Sequence, residues 1–370
     1  MKRVATNLLA TALSIALSLG LAELALRVLD YPPSTFSPWV RAGDTGYQYA
    51  PSIETRMTRH GEYDVAFATN SLGLRDDEVG PKRNKRMLLL GDSFTSGYGV
   101  ERGETFADLL EDRLGVDVVN AGVGGYELVH QVHYYRSRGS ALDPDLVVLV
   151  LYLGNDLSRN GDWHETEDGG LVAIERTFPL RAKKQTKLVQ LYRQLRYQEG
   201  LRREQQRGPW QPFPDYLAMC QKNLSPDAEA SYDEVARLLG RLRDLVVASG
   251  ARLFVVLLPY VTAVDEETER RLAAKTPDYA ARYDLSIPNR RVSAMLDRLG
   301  IAWLDLTPGL RSHYAHGGAA LYFEIDGHLN VAGNRLVAGE LEPALRAELL
   351  DSPPAPYDPS GDPTGPGGSQ

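Results

Sequence analysis

Apolar residues in this chain gather into short continuous runs, and several of the runs end abruptly in glycine and small polar residues. Met87-Leu88-Leu89-Leu90 passes straight into Gly91-Asp92-Ser93, followed by a Gly-rich turn through Gly97 and Gly99. Val147-Val148-Leu149-Val150-Leu151 and Leu253-Phe254-Val255-Val256-Leu257-Leu258 are longer runs of the same kind. A continuous apolar run bounded by turn residues reads as a strand buried on both faces. Strands are predicted at 87–91, 117–121, 145–153, 252–258 and 301–306. Between them the period changes to that of a helix, near 104–114, 127–139, 231–249, 287–299 and 331–350. The clearest case places Val235, Leu238, Leu239, Leu242 and Val246 on one helical stripe. Strand alternating with helix predicts an α/β domain, a parallel sheet covered by helices on both faces. No internal repeat is visible.

The pattern differs on either side of that domain. Lys2 and Arg3 precede an apolar run from Val4 to Leu21 that continues as Leu24-Ala25-Leu26 beyond Glu23. This charged-then-apolar order is that of an export signal. Residues 1–30 are read as a signal-anchor whose helix spans a membrane, with a cleaved signal peptide ending near Gly20-Leu21-Ala22 as the alternative. Basic residues on the cytoplasmic side place the remainder outside the cytoplasm, membrane-anchored or, after cleavage, secreted. Residues 31–85 read as a linker and a small β-rich segment, from alternation such as Tyr63-Asp64-Val65-Ala66-Phe67-Ala68. The domain proper is expected over 86–350.

Its regular alternation lapses over 157–230, which reads as an insertion. Within it, 181–207 carries nine Lys or Arg against two Glu, with Leu188, Leu191, Tyr192 and Leu195 on one helical face. Such a helix suits an anionic membrane surface or a solvated lid equally. Residues 351–370, rich in proline and glycine, bury too little to offset chain entropy and are expected to be disordered.

Composition narrows the chemistry. The 370 residues hold 41 Lys plus Arg against 49 Asp plus Glu, a net charge of −8, so nucleic acid is not an expected partner. A single cysteine, Cys220, permits neither an intramolecular disulfide nor a cysteine metal cluster. His313-x-x-His316 lacks a companion carboxylate pair, and Trp163-His164-Glu165 lacks a second histidine, so no metal and no cofactor are expected. There is no Gly-x-Ser-x-Gly elbow, because residue 95 is Thr.

What remains is a set of polar sites at the ends of predicted strands. Ser93 follows the first strand, Asn120-Ala121-Gly122-Val123-Gly124-Gly125 the second, Gly154-Asn155-Asp156 the third, and Asp326-Gly327-His328 opens the last helix. Singly, each has an ordinary structural reading as a turn or a helix cap. Together they contain the parts of acyl transfer. A serine hydroxyl needs a base to take its proton, and His328 is the candidate. A carboxylate must orient that imidazole. Asp326 lies two residues earlier and points the same way if the segment is extended, with Glu324 as the fallback. The oxyanion needs fixed donors, for which the backbone N–H groups of Ser93 and Gly125 and the side chain of Asn155 are the candidates.

This order of Gly-Asp-Ser93, Gly125, Gly-Asn155-Asp and Asp326/His328 resembles the SGNH, or GDSL-type, hydrolases. The likeness spans about 86–350 less the insertion. It implies a flavodoxin-like three-layer α/β/α sandwich and hydrolysis of ester or acyl groups through an acyl-serine, without metal. One feature departs from the family's usual Asp-x-x-His: here the spacing is Asp326-x-His328, similar to that of its polysaccharide O-acetyltransferase relatives. Three functions follow as expectations. The first is an extracytoplasmic serine esterase acting on an acylated small molecule, glycan or lipid. The second is an O-acyltransferase using the same serine, and the third a non-catalytic envelope binding protein.

Overall fold

In the central sheet, alternate side chains of each strand enter two separate cores, and this explains why the apolar runs are unbroken. The computed structural model describes residues 2–29, 39–42, 44–59, 61–158, 163–166, 170–173 and 214–351, with short groups between 187 and 199. Its strands are β1 (Trp39–Ala42), β2 (Gly46–Tyr49), β3 (Glu54–Arg59), β4 (Tyr63–Ala68), β5 (Arg86–Leu90), β6 (Asp117–Asn120), β7 (Leu146–Tyr152), β8 (Trp163–Glu165), β9 (Leu171–Ala173), β10 (Arg252–Leu258) and β11 (Ala302–Asp305). The larger helices are α1 (Lys2–Val28), α2 (Phe106–Leu114), α3 (Leu128–Ser137), α4 (Pro214–Met219), α5 (Pro226–Ala248), α6 (Glu266–Lys275), α7 (Ile287–Leu299), α8 (Thr307–Ala315) and α9 (Val331–Arg346).

Five strands form one parallel sheet in the order β11-β10-β7-β5-β6. Counted along the sheet from β6, the chain order is 2-1-3-4-5, the flavodoxin-like winding. Leu88, Leu90, Val147, Leu149, Val255 and Leu257 join a core shared with α3, α5 and α7. Met87, Leu89, Val148, Val150, Val256 and Leu258 join the opposite core with α2, α8 and α9. The three-layer sandwich expected from the sequence is therefore present. All five strands lie within two residues of their predicted bounds.

The segment before the domain forms two antiparallel strand pairs, β1–β2 and β3–β4, and the alternating stretch Tyr63–Ala68 is β4. Helix α5 starts earlier than its apolar stripe. The Ser225 hydroxyl accepts the Ala228 N–H at 3.2 Å and Pro226 occupies the first turn, so the cap sets the start, not the core contacts. Helix α9 ends at Arg346 and continues as a wider turn over Ala347–Asp351.

The expectation of a membrane-spanning N-terminal helix is not supported. Helix α1 forms, yet among the described residues no helix is long and apolar enough to cross a membrane. Polar groups interrupt its apolar run: Thr11 and Ser14 bond back to the carbonyls of Asn7 and Ala10, and Glu23 pairs with Arg27. The Glu23 carboxylate also accepts the backbone N–H groups of Lys187 and Leu188, both at 3.0 Å.

Of the 157–230 insertion, the hairpin β8–β9, helix α4 and the start of α5 are described. Trp163 on β8 packs edge-on against His130 of α3 and beside Tyr47 of β2, so this part of the insertion lies over one side of the sheet. Most of the basic stretch 181–207, most of the linker and the tail beyond 351 lie outside the described residues.

Candidate active site

The chain leaves β5 at Leu90 and turns at once, because the next positions permit no ordinary continuation. A Cβ at Gly91 would collide with the Thr95 side chain. The Asp92 carboxylate accepts the Phe94 N–H at 2.9 Å, the Ser96 N–H donates to the Asp92 carbonyl at 3.0 Å, and the Tyr98 N–H to the Ser93 carbonyl at 3.0 Å. Ser93 is thereby held half-buried at the carboxyl end of the second strand in the sheet order. Arg75, a residue whose sequence context suggests no role, fastens this turn from below. Its buried guanidinium donates to the carbonyls of Ser96, Gly97 and Val100, and to Ala66 of β4. Among polar groups, an Arg is suited to this because it carries five donors in a rigid fork.

His328 arrives from the other end of the chain. Its Nε2 lies 2.7 Å from the Ser93 hydroxyl, and its Nδ1 is hydrogen-bonded to Oδ1 of Asp326. The two residues do not reach this arrangement as an extended segment. Gly327 between them has φ +81°, the left-handed region that favours glycine, and its N–H donates to the Phe323 carbonyl at 3.0 Å. A tight turn rather than a strand puts carboxylate and imidazole on the same side. Asn330, next along, caps α9 by accepting the Gly333 N–H at 3.0 Å. Glu324, the fallback acid, is exposed.

The hairpin β3–β4 reaches the same acid. Tyr63 donates its hydroxyl to Oδ2 of Asp326 at 2.9 Å, and the Arg59 guanidinium lies 3.5 Å from that oxygen. Glu62, in the hairpin's turn, accepts the backbone N–H groups of Ile325 and Asp326 at 2.7 and 2.9 Å. Sequence reasoning misses all three residues. Their alternation marks strands, but nothing in a single sequence connects positions 59–63 with 326.

Gly125 and Asn155 are placed by strand order. Gly125 follows β6 and Asn155 follows β7, and these strands flank β5 on either side. Both candidate donors therefore lie on the loops bordering Ser93, at the carboxyl ends where ligands bind in open parallel sheets. Gly125 has φ +81°, and a Cβ there would meet the Tyr47 hydroxyl at 2.9 Å, so glycine is required. The neighbouring Gly124 N–H is bonded to the Tyr49 hydroxyl at 2.7 Å. Asn120 ties this loop to the Ser93 turn: its amide donates to the Thr95 carbonyl at 2.8 Å and its oxygen accepts the Gly122 N–H at 3.0 Å.

The charges favour a working base. Burial opposes the ionised form of Asp326, yet the His328 imidazolium, Arg59 and the Tyr63 hydroxyl outweigh it and bring the carboxyl down to about 2. Burial likewise opposes charge on His328, and the adjacent Asp326 carboxylate, with Asp92, raises it above the ordinary imidazole value. Burial pushes Asp92 itself upward, tempered by the Phe94 N–H, His328 and Asn155. Such an arrangement can abstract the Ser93 proton, stabilise the imidazolium that results, and return the proton to a leaving group. Among the described residues no group of three or more His, Cys, Asp or Glu is arranged to hold a metal ion. His313 and His316 bond to the carbonyls of Ala319 and Ser312.

Residues 89–336 match the GDSL-like lipase/acylhydrolase family. The chain matches no curated protein sequence. Among solved structures, a lipase/acylhydrolase from Enterococcus faecalis is 13% identical, covering 73% of this chain and 100% of its own, with a TM-score of 0.40. An acetylxylan esterase from Geobacillus stearothermophilus, Axe2, solved as a catalytic mutant, is 13% identical over 70% of this chain and 94% of its own, TM-score 0.40. The acetyl xylan esterase AlAXEase is 12% identical over 70% and 99%, TM-score 0.42. At these identities and scores they serve only as points of likeness. The family match covers well over half of the chain, from within β5 to the last helix, and by it this protein belongs to the GDSL-like lipase/acylhydrolases, hydrolases of ester bonds.

Proposed function

We propose that the protein is a serine esterase in which Ser93 is the nucleophile, His328 the general base and Asp326 the acid that orients it. The observation that carries this reading is the continuous hydrogen-bonded line from the Ser93 hydroxyl through both ring nitrogens of His328 to Asp326. As Ser93 Oγ attacks the ester carbonyl, neutral His328 takes its proton at Nε2, and Asp326 stabilises the resulting imidazolium. The carbonyl oxygen, now an oxyanion, is met by the N–H groups of Ser93 and Gly125 and the Asn155 amide. Collapse of this intermediate breaks the ester C–O bond. His328 gives its proton to the departing alcohol, which leaves acyl-Ser93. Water then attacks, again deprotonated by His328, and the carboxylic acid departs with Ser93 restored.

The substrate is an ester-bearing small molecule or glycan, met outside the cytoplasm. The location rests on Lys2 and Arg3 ahead of the apolar run in α1. Labelling of the purified protein with a fluorophosphonate, followed by peptide mapping, tests the catalytic reading. A mass increase on the peptide holding Ser93, absent in Ser93→Ala, is the expected result. Equal ester turnover by wild type and Ser93→Ala overturns it.

The Asp326-x-His328 spacing favours one second reading, an O-acyltransferase in which a sugar hydroxyl replaces water at the acyl-enzyme. Product analysis with an acyl donor and an excess of glycan acceptor separates the two. Free acid as the sole product excludes transfer.

A further inference from the structure

The family match begins at residue 89, whereas three residues that grip the triad acid lie at 59, 62 and 63. We propose that the β3–β4 hairpin is a positioning element of the active site, with Tyr63 and Arg59 holding the outer oxygen of Asp326 and Glu62 fixing the backbone that carries it. The proposal rests on the reading of Asp326 and His328 as the acid–base pair, and it adds a part that the matched family segment does not contain.

Several independent contacts converge on one carboxylate. Oδ1 of Asp326 faces His328, which leaves Oδ2 as the oxygen that must be satisfied elsewhere. Tyr63 donates to it at 2.9 Å, and Arg59 approaches to 3.5 Å. The Asp326 side chain is only 7% exposed and that of Arg59 18%, so bulk water screens this pair little. Glu62 reaches the backbone from the other side and also lies 3.7 Å from Arg59, which ties the two ends of the turn together. The Tyr63 ring packs against Phe323, 5.1 Å between centroids, at the start of the Asp326 turn. A Cβ at Gly99, in the loop that follows Ser93, would strike both rings. Hairpin, acid turn and nucleophile loop thus meet at one point, and the hairpin is fixed in turn by Arg75 through Ala66.

Two effects on the reaction follow. A carboxylate anchored at one oxygen presents the other to His328 in a single orientation, and this keeps the imidazole tautomer correct. Arg59 also sets how strongly His328 holds its proton. The groups that bear on His328 are Asp326 on its own turn, Asp92 and Ser93 at the end of β5, Tyr98 with its ring tilted 5.2 Å away, and Arg59 from the hairpin, while Glu62 and Tyr63 contact the Asp326 turn beside it. Arg59 is the cation among them, and it works against the imidazolium. Without it, His328 stays protonated to higher pH.

The test uses the full chain carrying Arg59→Gln, Arg59→Lys and Tyr63→Phe, with circular dichroism to verify the fold. Two readouts apply: the acid limb of kcat/KM against pH, and the His328 imidazole titration followed by NMR in a Ser93→Ala background. Arg59→Gln is expected to move both upward by on the order of half a pH unit. Arg59→Lys keeps the charge and is expected to restore the wild-type limb. Tyr63→Phe is expected to lower kcat roughly tenfold with little change in KM, the loss of one hydrogen bond to a charged acceptor. An unmoved His328 titration in a folded Arg59→Gln protein, or an unchanged kcat in Tyr63→Phe, overturns the proposal. The NMR arm reads the hairpin's action even without turnover. Failure of the esterase reading would instead appear as turnover that survives Ser93→Ala.

Discussion

Nε2 of His328 stands 2.7 Å from the hydroxyl of Ser93, although 235 positions separate them in sequence. The distance is that of a formed hydrogen bond, so the proton path exists before any substrate binds. Ser93→Ala is therefore expected to lower kcat for p-nitrophenyl esters on the order of 10⁴-fold or more. Thermal unfolding should stay close to wild type, because Ser93 is half-buried and its methyl remnant fits the same turn. Steady-state kinetics on both proteins, with residual contaminant esterase measured alongside, checks this.

Asp326→Asn keeps the shape of the acid but reverses its preference for the imidazole tautomer. The expected loss in kcat is about 10²- to 10³-fold, since the candidate oxyanion donors remain. The acid limb of the rate profile should move to lower pH, because the carboxylate that raises His328 is gone. Glu324→Gln is the control, and as an exposed residue it should be nearly silent. A crippled Glu324→Gln beside an active Asp326→Asn would reverse the assignment.

The same pair contributes to stability within a defined pH window. Asp326 is depressed in the folded state to about 2, so its share is present above the ordinary carboxyl value and lost as pH falls towards 2. His328 is raised, so its share is present below the ordinary imidazole value and lost as pH rises through the folded one. The gap in unfolding free energy between wild type and Asp326→Asn should thus be widest near pH 5, on the order of 2 kcal/mol, and shrink towards both ends. Urea titrations at pH 2.5, 5 and 8 test it, and a gap that grows at pH 8 would contradict the assignment of charge.

Asn155→Ala removes a side-chain donor at the end of β7 and leaves the other two candidates in place. A fall of about 10²- to 10³-fold in kcat with little change in KM is expected if the amide meets the oxyanion only in the transition state. An effect confined to KM would place Asn155 in substrate binding instead.

Arg75→Met should damage stability rather than chemistry. Its guanidinium serves four main-chain carbonyls and is almost wholly buried. Methionine fills part of the volume and satisfies none of them, at a cost of about 3 kcal/mol or more. The midpoint of urea unfolding should drop at an unchanged slope.

The sheet is readable from the sequence because Val147–Leu151 and Leu253–Leu258 are buried on both faces, and side chains that enter two cores leave no polar position in the run. The stripe on α5 is readable for the same reason, but its start is not, since Ser225 and Pro226 act through the backbone and leave no trace in the apolar period. Ser93, Gly125 and Asn155 stand out because each lies in a loop beyond a strand, and His328 because it stands with Asp326 just before the last helix. The route by which Asp326 meets His328 is not legible: two-residue spacing suggests an extended segment, whereas Gly327 makes a turn. Arg75 and Tyr63 are equally hidden, because an arginine that serves carbonyls and a tyrosine that serves an acid carry no local signature. The N-terminal run has the length of a membrane span only when its polar positions are read as minor interruptions.

The contact between Tyr63 and Asp326 closes a loop of 263 residues, and that length bears on the order in which the protein assembles. Loop-closure entropy must be met before so distant a contact stabilises anything, whereas β5, β6 and α2 between them are neighbours in the chain. Far-UV ellipticity should therefore recover ahead of catalytic competence on dilution from denaturant. Between the two, the population would have native-like backbone content and an unlabelled Ser93. Stopped-flow ellipticity run in parallel with quenched fluorophosphonate labelling would resolve such a lag, and coincident recovery would show that the long closure forms together with the sheet.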